Sequence, residues 1–201
     1  MIWLDGALVS RGEGGVYGER TVGEYRVWDP YRSKFAAYAM LGGDFDLAPG
    51  LRVLYLGAAN GTTVSHVADY VEVAYAVEFA PRPMQDLLEV CRPRQNIVPI
   101  MADAGRPAAY RGIVEEVDLV YQDVAQPDQV RIALANLLFL RPGGTFILML
   151  KTRSVDIRKD PREVAEEAVR ALEEGGLAVK DVRWLEPYHR DHAAIVCEAL
   201  K

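Results

Sequence analysis

The sequence predicts an α/β fold, a seven-stranded and mostly parallel sheet flanked by helices and preceded by a small β-rich extension. Three observations carry this reading. From Val53 onward, short β-branched runs alternate with helical stretches. Four of the runs close on or near a charged residue, Glu78, Asp103, Asp123 and Lys151, as strands do when their carboxyl ends meet at one edge. The chain has 201 residues, 50% hydrophobic and 26% charged, which leaves room for one core with a small appendage and not for two full domains. The expected division is a hairpin region with a connecting helix over 1–48 and the main domain over 49–201.

The elements follow in order. Ile2–Leu4, Ala7–Val9, Gly15–Tyr17 and Glu24–Val27 read as short strands of one or two hairpins, and Pro30–Leu41 as a helix capped by Asp29 and stopped by Gly42–Gly43. Val53–Leu56 is a buried strand ended by Gly57–Ala58–Ala59–Asn60–Gly61, and Thr62–Asp69 is the helix after it. Val73–Val77 closes on Glu78, Pro81–Arg92 is helical, Asn96–Ile100 closes near Asp103, and Val117–Gln122 closes on Asp123. Gln126–Leu140 has helical spacing, and Arg141–Pro142–Gly143–Gly144 forces a turn before the strand Thr145–Leu150. Pro161–Glu174 is an amphipathic helix stopped by Gly175–Gly176, and Leu177–Leu185 and Ala193–Leu200 are the last strands.

Composition narrows the function. No apolar stretch reaches the ~18 residues of a membrane span, and Met1–Gly6 lacks the form of a secretion signal, so a membrane is not an expected partner. Two cysteines, Cys91 and Cys197, without a CxxC pair, and three histidines argue against a disulfide framework or a structural metal. The 23 lysines and arginines against 29 aspartates and glutamates give a net charge of −6, which weighs against unaided binding of nucleic acid over a broad basic face.

The strand ends carry the chemistry. Gly57–Ala58–Ala59–Asn60–Gly61–Thr62–Thr63 lets backbone approach a ligand and presents helix amides, although Ala59 stands where a dinucleotide fingerprint has its second glycine. Glu78, 17 residues beyond Gly61, suits the two hydroxyls of a ribose, and Asp103 with Ala104 suits an adenine. Nicotinamide cofactors and S-adenosylmethionine both meet that description. Asp123 and Lys151 address the second reactant. A hydroxyl is a poor nucleophile until a neighbouring group orients or removes its proton, and a lysine held by an aspartate and loosened from its proton by burial or a second cation, here Lys34, can do so.

These residues lie in segments that closely resemble the fibrillarin family in its short archaeal form: Tyr25–Arg26–Val27–Trp28–Asp29–Pro30–Tyr31–Arg32–Ser33–Lys34, Val53 to Val67, Tyr75–Ala76–Val77–Glu78–Phe79, Asp123 to Gln129, and Leu185 to Ala193. They run in order from Tyr25 to the carboxyl end, and Asn60 and Tyr121–Gln122 depart from the family pattern without removing a candidate group. The resemblance implies a Rossmann-like methyltransferase fold with the last strand antiparallel, S-adenosyl-L-methionine as cofactor, and methyl transfer to the ribose 2′-hydroxyl of rRNA and tRNA. It implies partners as well: a box C/D guide RNA, a Nop-domain scaffold protein and a kink-turn-binding protein of ribosomal type. The missing Gly/Arg-rich tail implies an archaeal, cytoplasmic setting. By motif, Gly57, Ala58, Thr62, Thr63, Glu78, Phe79, Asp103, Ala104, Asp123, Val124, Ala125 and Gln126 would line the cofactor site. Lys34, Asp123, Lys151 and His192 would form the catalytic group, with Lys151 nearest the hydroxyl and no metal required.

Three rivals compete with this reading: a small-molecule methyltransferase of the same architecture, a structural subunit without catalysis, and a nicotinamide dehydrogenase. Arg26, Arg32, Lys34, Arg153, Arg158 and Lys159, expected near the catalytic edge, favour an anionic polymer over the first. Retention of Lys34, Asp123 and Lys151 opposes the second, and the missing middle glycine weakens the third.

Overall fold

The structure, a computed structural model, describes residues 1–200. Its first four strands, β1 (Ile2–Leu4), β2 (Ala7–Arg11), β3 (Thr21–Val22) and β4 (Tyr25–Val27), pair antiparallel in the order β1-β2-β4-β3. Asp5 and Gly6, both at positive φ (49° and 77°), make the β1–β2 turn, as the twist of a two-residue hairpin demands. The strand expected at Gly15–Tyr17 is absent and β3 lies further on. Gly15 and Gly18 turn the chain through positive φ (83° and 79°), and the Glu19 carboxylate takes the amides of Val16 and Tyr17 out of any ladder.

The helix expected from Pro30 begins only at Lys34, as α1 (Lys34–Met40). Asp29 folds Pro30–Ser33 into a turn, accepting from the Tyr31 amide with Oδ1 and from the Arg32 and Ser33 amides with its carbonyl. Ser33 is extended (φ −136°, ψ 117°) and caps the helix through its side chain, which accepts from the Ala36 amide. Lys34 is therefore the first helical residue.

Every run read as a strand from Val53 onward is one: β5 (Arg52–Leu56), β6 (Val73–Glu78), β7 (Ile97–Met101), β8 (Val117–Gln122), β9 (Leu140–Lys151), β10 (Leu177–Trp184) and β11 (His192–Ala199). They form one seven-stranded sheet in the order β10-β11-β9-β8-β5-β6-β7. Pairings among β5 to β9 are parallel, and β11 runs antiparallel to both neighbours. The turn expected at Arg141–Gly144 is a bulge inside β9. Leu140 lies opposite Val117 and Thr145 opposite Leu119, so four residues of one strand face a single residue of the other. The other helices are α2 (Thr62–Ala68), α3 (Pro81–Cys91), α4 (Gln129–Asn136), the single turn α5 (Thr152–Val155) and α6 (Pro161–Glu174). The helix expected from Gln126 to Leu140 shortens to α4 because Pro127 disfavours helical backbone at Gln126, and a 3-10 turn over Leu137–Phe139 replaces its end.

Strand residues alternate between two cores. Val53, Tyr55, Leu119, Tyr121, Ile147 and Met149 pack on one face with α1, α2 and the N-terminal residues Leu8 and Trp28. Leu54, Leu56, Val120, Phe146, Leu148 and Leu150 pack on the other with residues of α4 and α6. Burial on both faces explains why the runs read as almost continuously apolar.

The N-terminal sheet is locked to α2 by a buried polar chain. Ser10 donates its hydroxyl to Asp69 Oδ2 (2.6 Å), so its oxygen accepts from His66 Nδ1 (2.7 Å), and His66 Nε2 accepts from the Tyr17 hydroxyl (2.8 Å). Arg26 and Arg94 both reach Asp69, and Arg26 also donates to Glu19 (2.7 Å). Burial, with the Arg26 charge second, pushes His66 from 6.5 down to about 2. Burial works to raise Glu19, but hydrogen bonds from the Tyr17 amide and Arg26 outweigh it and hold Glu19 down at about 2. Both values lie below those of the unfolded chain, so acid protonates the unfolded state first. Stability is complete above pH 6.5 for His66 and above 4.5 for Glu19, and is lost as pH falls toward 2. Denaturant titrations at pH 8 and pH 5 are expected to show the wild type losing about 2 kcal/mol more than His66→Gln over that interval. Equal losses would remove the buried neutral imidazole as the cause.

Candidate functional site

The carboxyl ends of β5, β6, β7 and β8 open on a cleft of about 260 Å³. Gly57, Glu78, Phe79, Ala104, Asp123, Val124, Ala125 and Gln126 line it, together with Ala59, Val77 and Ala102, which the motif reading left out. Ala58, Thr62, Thr63 and Asp103 are not in its wall. Ala58 is buried in the core, and the Thr62 hydroxyl turns to Asn60 (3.1 Å). Thr63 donates to Ser33 Oγ (3.1 Å), which joins the start of α2 to the cap of α1. Asp103 accepts from the Gly105 amide (2.8 Å), and Arg106 lies 3.7 Å from its second oxygen.

Backbone geometry fixes the acidic end of the cleft. Ala59 takes a left-handed conformation (φ 48°) and its amide donates to Glu78 Oε2 (2.8 Å), while the Ala80 amide donates to Oε1 (2.7 Å). A carboxylate offers about four acceptor positions, so two stay free for hydroxyl donors. Phe79 (66% exposed) and Met101 (61%) give apolar surface at the same end of β6 and β7.

The second group lies at the ends of β8, β9 and β11. Side-chain alternation puts Asp123 in phase with Leu119 and Tyr121, and Lys151 in phase with Ile147 and Met149, hence on the sheet face that α1 covers. From the start of α1, Lys34 Nζ donates to both oxygens of Asp123 at 2.8 Å. Asp123 is thus shared between the cleft and the basic group, and its hydrogen-bonded lysine is Lys34. Lys151 and His192 are cross-strand partners. Thr152 donates its amide to Asp191 O (3.2 Å), which marks 151/192 as a non-hydrogen-bonded pair, the kind whose side chains lie closest.

His192 Nδ1 lies 2.7 Å from the Arg190 carbonyl and so carries the hydrogen, leaving Nε2 as an acceptor. His189, absent from the motif-based site, donates Nε2 to the Pro30 carbonyl (2.8 Å) and ties the β10–β11 loop to the turn before α1. Burial first, then the Lys34 charge for His189 and, after the opposing Arg190 hydrogen bond, for His192, push both imidazoles down. Gln129, at the start of α4, was also missed: its fully buried carboxamide bonds both backbone groups of Lys151.

The basic residues expected at this edge divide. Arg26 is fully buried in the chain of Glu19 and Asp69 and takes no part in a surface, because two carboxylates hold its guanidinium inside. Arg32, Arg153, Arg158 and Lys159 pair with Asp29, Asp191, Asp156 and Glu167 respectively.

Gly57 sits where no side chain fits. At φ 84°, an added Cβ would stand 2.3 Å from the Asp123 carbonyl oxygen, whereas at Gly143 (φ 71°) nothing lies within 4 Å. Gly143→Ala therefore tests backbone strain alone, about 1 kcal/mol. Gly57→Ala is expected to cost at least about 2 kcal/mol more in thermal or denaturant unfolding, since backbone must move. Equal costs would remove the close approach of the two loops.

The fibrillarin family model matches residues 8–201. A fibrillarin-like rRNA/tRNA 2′-O-methyltransferase of Methanoculleus marisnigri is 72% identical over 197 residues, 98% of each chain. A fibrillarin in a solved fibrillarin/Nop5p complex superposes with a TM-score of 0.92 at 44% identity, covering 96% of this chain and 94% of that one. Aeropyrum pernix fibrillarin, solved with natively bound S-adenosyl-L-methionine, superposes with a TM-score of 0.86 at 45% identity, covering 95% and 88%. The fold is thus shared along nearly the whole length, and the chain belongs to the fibrillarin family.

Proposed function

We propose that the chain transfers the methyl group of S-adenosyl-L-methionine to ribose 2′-hydroxyls of rRNA and tRNA, as the catalytic subunit of a guide ribonucleoprotein. The observation that carries it is the double position of Asp123, in the wall of the cleft and bonded through both oxygens to Lys34. A cofactor site and a hydroxyl-activating group then share one carboxylate.

The cleft fits this cofactor by its donors and acceptors. Glu78 keeps two acceptor positions for a ribose diol, Phe79 and Met101 offer apolar surface to a base, and Gly57, Ala59, Ala102 and Ala104 keep the walls low. When bound, S-adenosylmethionine supplies an electrophilic methyl group. The protein's work is alignment and proton handling. Lys34 holds Asp123 in one orientation, Lys151 stands nearest the hydroxyl, and the neutral His192, with Nε2 open, is a second acceptor on the same face. Since transfer removes the positive charge of the sulfonium, fixed geometry contributes more than added charge.

The particle contains a Nop-domain scaffold, in line with the Nop5p complex of the similar fibrillarin. In our reading a box C/D guide RNA and a kink-turn-binding protein complete it. The ion pairing of Arg32, Arg153, Arg158 and Lys159 supports this division of labour, because paired surface cations hold phosphates poorly. No helix among the described residues is long and apolar enough to cross a membrane; with archaeal relatives named as rRNA/tRNA methyltransferases, we assign the work to the cytoplasm.

Two substitutions separate the halves of the site. In the assembled particle, with tritiated cofactor and a guide-matched RNA, Lys151→Ala is expected to lower turnover by about a hundredfold or more while cofactor affinity stays within a few-fold. Glu78→Ala is expected to weaken cofactor binding in calorimetry by about tenfold or more. Full turnover in the first or unchanged affinity in the second would overturn that residue's role. The isolated chain should be nearly inert toward the same RNA, and full activity without partners would overturn the particle.

A further inference from the structure

We propose that Gln129 is a positioning residue for methyl transfer, its carboxamide fixing the backbone of Lys151 and with it the point from which the lysine side chain leaves the sheet. The inference rests on the reading of Lys151 as the group nearest the hydroxyl.

The argument begins where β8 ends. The parallel ladder between β8 and β9 stops at Gln122, opposite Leu148, and β9 continues three residues further. Lys151 pairs with His192 on its other side, but in a non-hydrogen-bonded pair, so its own amide and carbonyl point away from β11, toward the side where β8 is missing. Gln129 supplies what the strand lacks. Its Oε1 accepts from the Lys151 amide (3.0 Å) and its Nε2 donates to the Lys151 carbonyl (3.1 Å), occupying both groups that a longer β8 would have bonded.

The clamp is itself held. Gln129 is fully buried and opens α4, and its backbone carbonyl accepts from Nε2 of Gln122, also fully buried (2.7 Å). Burying an unbonded carboxamide is costly, and the two bonds to Lys151 satisfy one donor and one acceptor on each partner, whereas Gln122 Oε1 has no partner among the described residues. At Lys151 the strand turns directly into the single helical turn of α5, so without Gln129 the last residue of β9 would lose the side-chain clamp on its amide and carbonyl. Hydrophobic burial does not explain a glutamine there, since a leucine of similar size would fill the space and leave the Lys151 amide unpaired.

The test uses the assembled particle, made from this chain, a Nop-domain scaffold, a kink-turn-binding protein, guide RNA and matched substrate. Gln129→Leu is expected to lower single-turnover tritiated-methyl transfer by about tenfold or more, with cofactor affinity and RNA KM within about twofold of wild type. In a Lys151→Ala background the same substitution should cost nothing further, because its effect runs through that lysine. Equal fractional loss in both backgrounds, or wild-type transfer by Gln129→Leu, would overturn the inference. If Gln129→Leu fails to fold, Gln129→Glu takes its place in the cycle with the same two outcomes: it keeps the size and the acceptor, and sets an oxygen against the Lys151 carbonyl. The two readings fail separately. Wild-type transfer by Lys151→Ala removes the role of Lys151 and the clamp with it, whereas an inactive Lys151→Ala beside a fully active Gln129→Leu removes only the clamp.

Discussion

Burial of the large sheet on both faces is the constraint from which the site follows. Leu54, Leu56, Val120 and Leu148 face one core while Val53, Tyr55, Tyr121 and Met149 face the other, so a polar side chain along these strands would be desolvated wherever it pointed. Charge is admitted where the strands run out, and parallel strands run out together. Arg52, Asp118 and Arg141 lie at the amino ends of β5, β8 and β9, and Glu78, Asp123 and Lys151 at the carboxyl ends of β6, β8 and β9, so the charges gather at the two edges of the sheet. The loops between them then have to approach closely, and Gly57, pressed on the Asp123 carbonyl, is where that approach leaves no room for a side chain.

The same alternation sorts the charges by face. Asp123 and Lys151 continue the phase of the α1-side core, and α1 supplies Lys34 to that side. The start of α1 thus decides where Lys34 stands relative to Asp123. Asp29 and Ser33 set it by spending four residues in a turn and capping afterwards, and His189 reinforces it by reaching the Pro30 carbonyl from the β10–β11 loop. The N-terminal sheet contributes at one remove. Its Ser10, Tyr17 and Arg26 grip α2 through His66 and Asp69, and α2 meets α1 through Thr63 and Ser33.

Much of this was legible in the sequence, for physical reasons that also mark where legibility stopped. The seven strands of the main sheet and α6 announce themselves because their apolar periodicity reflects burial that any partner would impose. The start of α1 did not, because proline at a first helical position and proline in a turn leave the same local pattern, and the hydrogen bonds of Asp29 decide between them. The bulge in β9 was hidden because Pro142–Gly143–Gly144 reads as a turn whether or not the flanking residues stay in register with β8. Arg26 read as a surface cation, since its burial depends on Glu19 and Asp69 arriving from other elements. Gln129 was invisible for the same reason. It lies in a motif, but its partner is a backbone 22 residues away, and no spacing rule encodes a side chain that stands in for a strand.

The acidic balance acquires a physical meaning from these pairings. A protein that seizes RNA alone needs unneutralised cations, yet Arg32, Arg153, Arg158 and Lys159 each face a carboxylate and Arg26 is inside. Releasing any of them to a phosphate breaks an existing pair, so the electrostatic gain per contact is reduced and falls further with salt. An enzyme organised in this way discriminates little among RNAs by its own affinity. On the proposed reading, choice of nucleotide then passes to whatever presents the ribose, and the chain supplies the geometry among cleft, Asp123, Lys34 and Lys151.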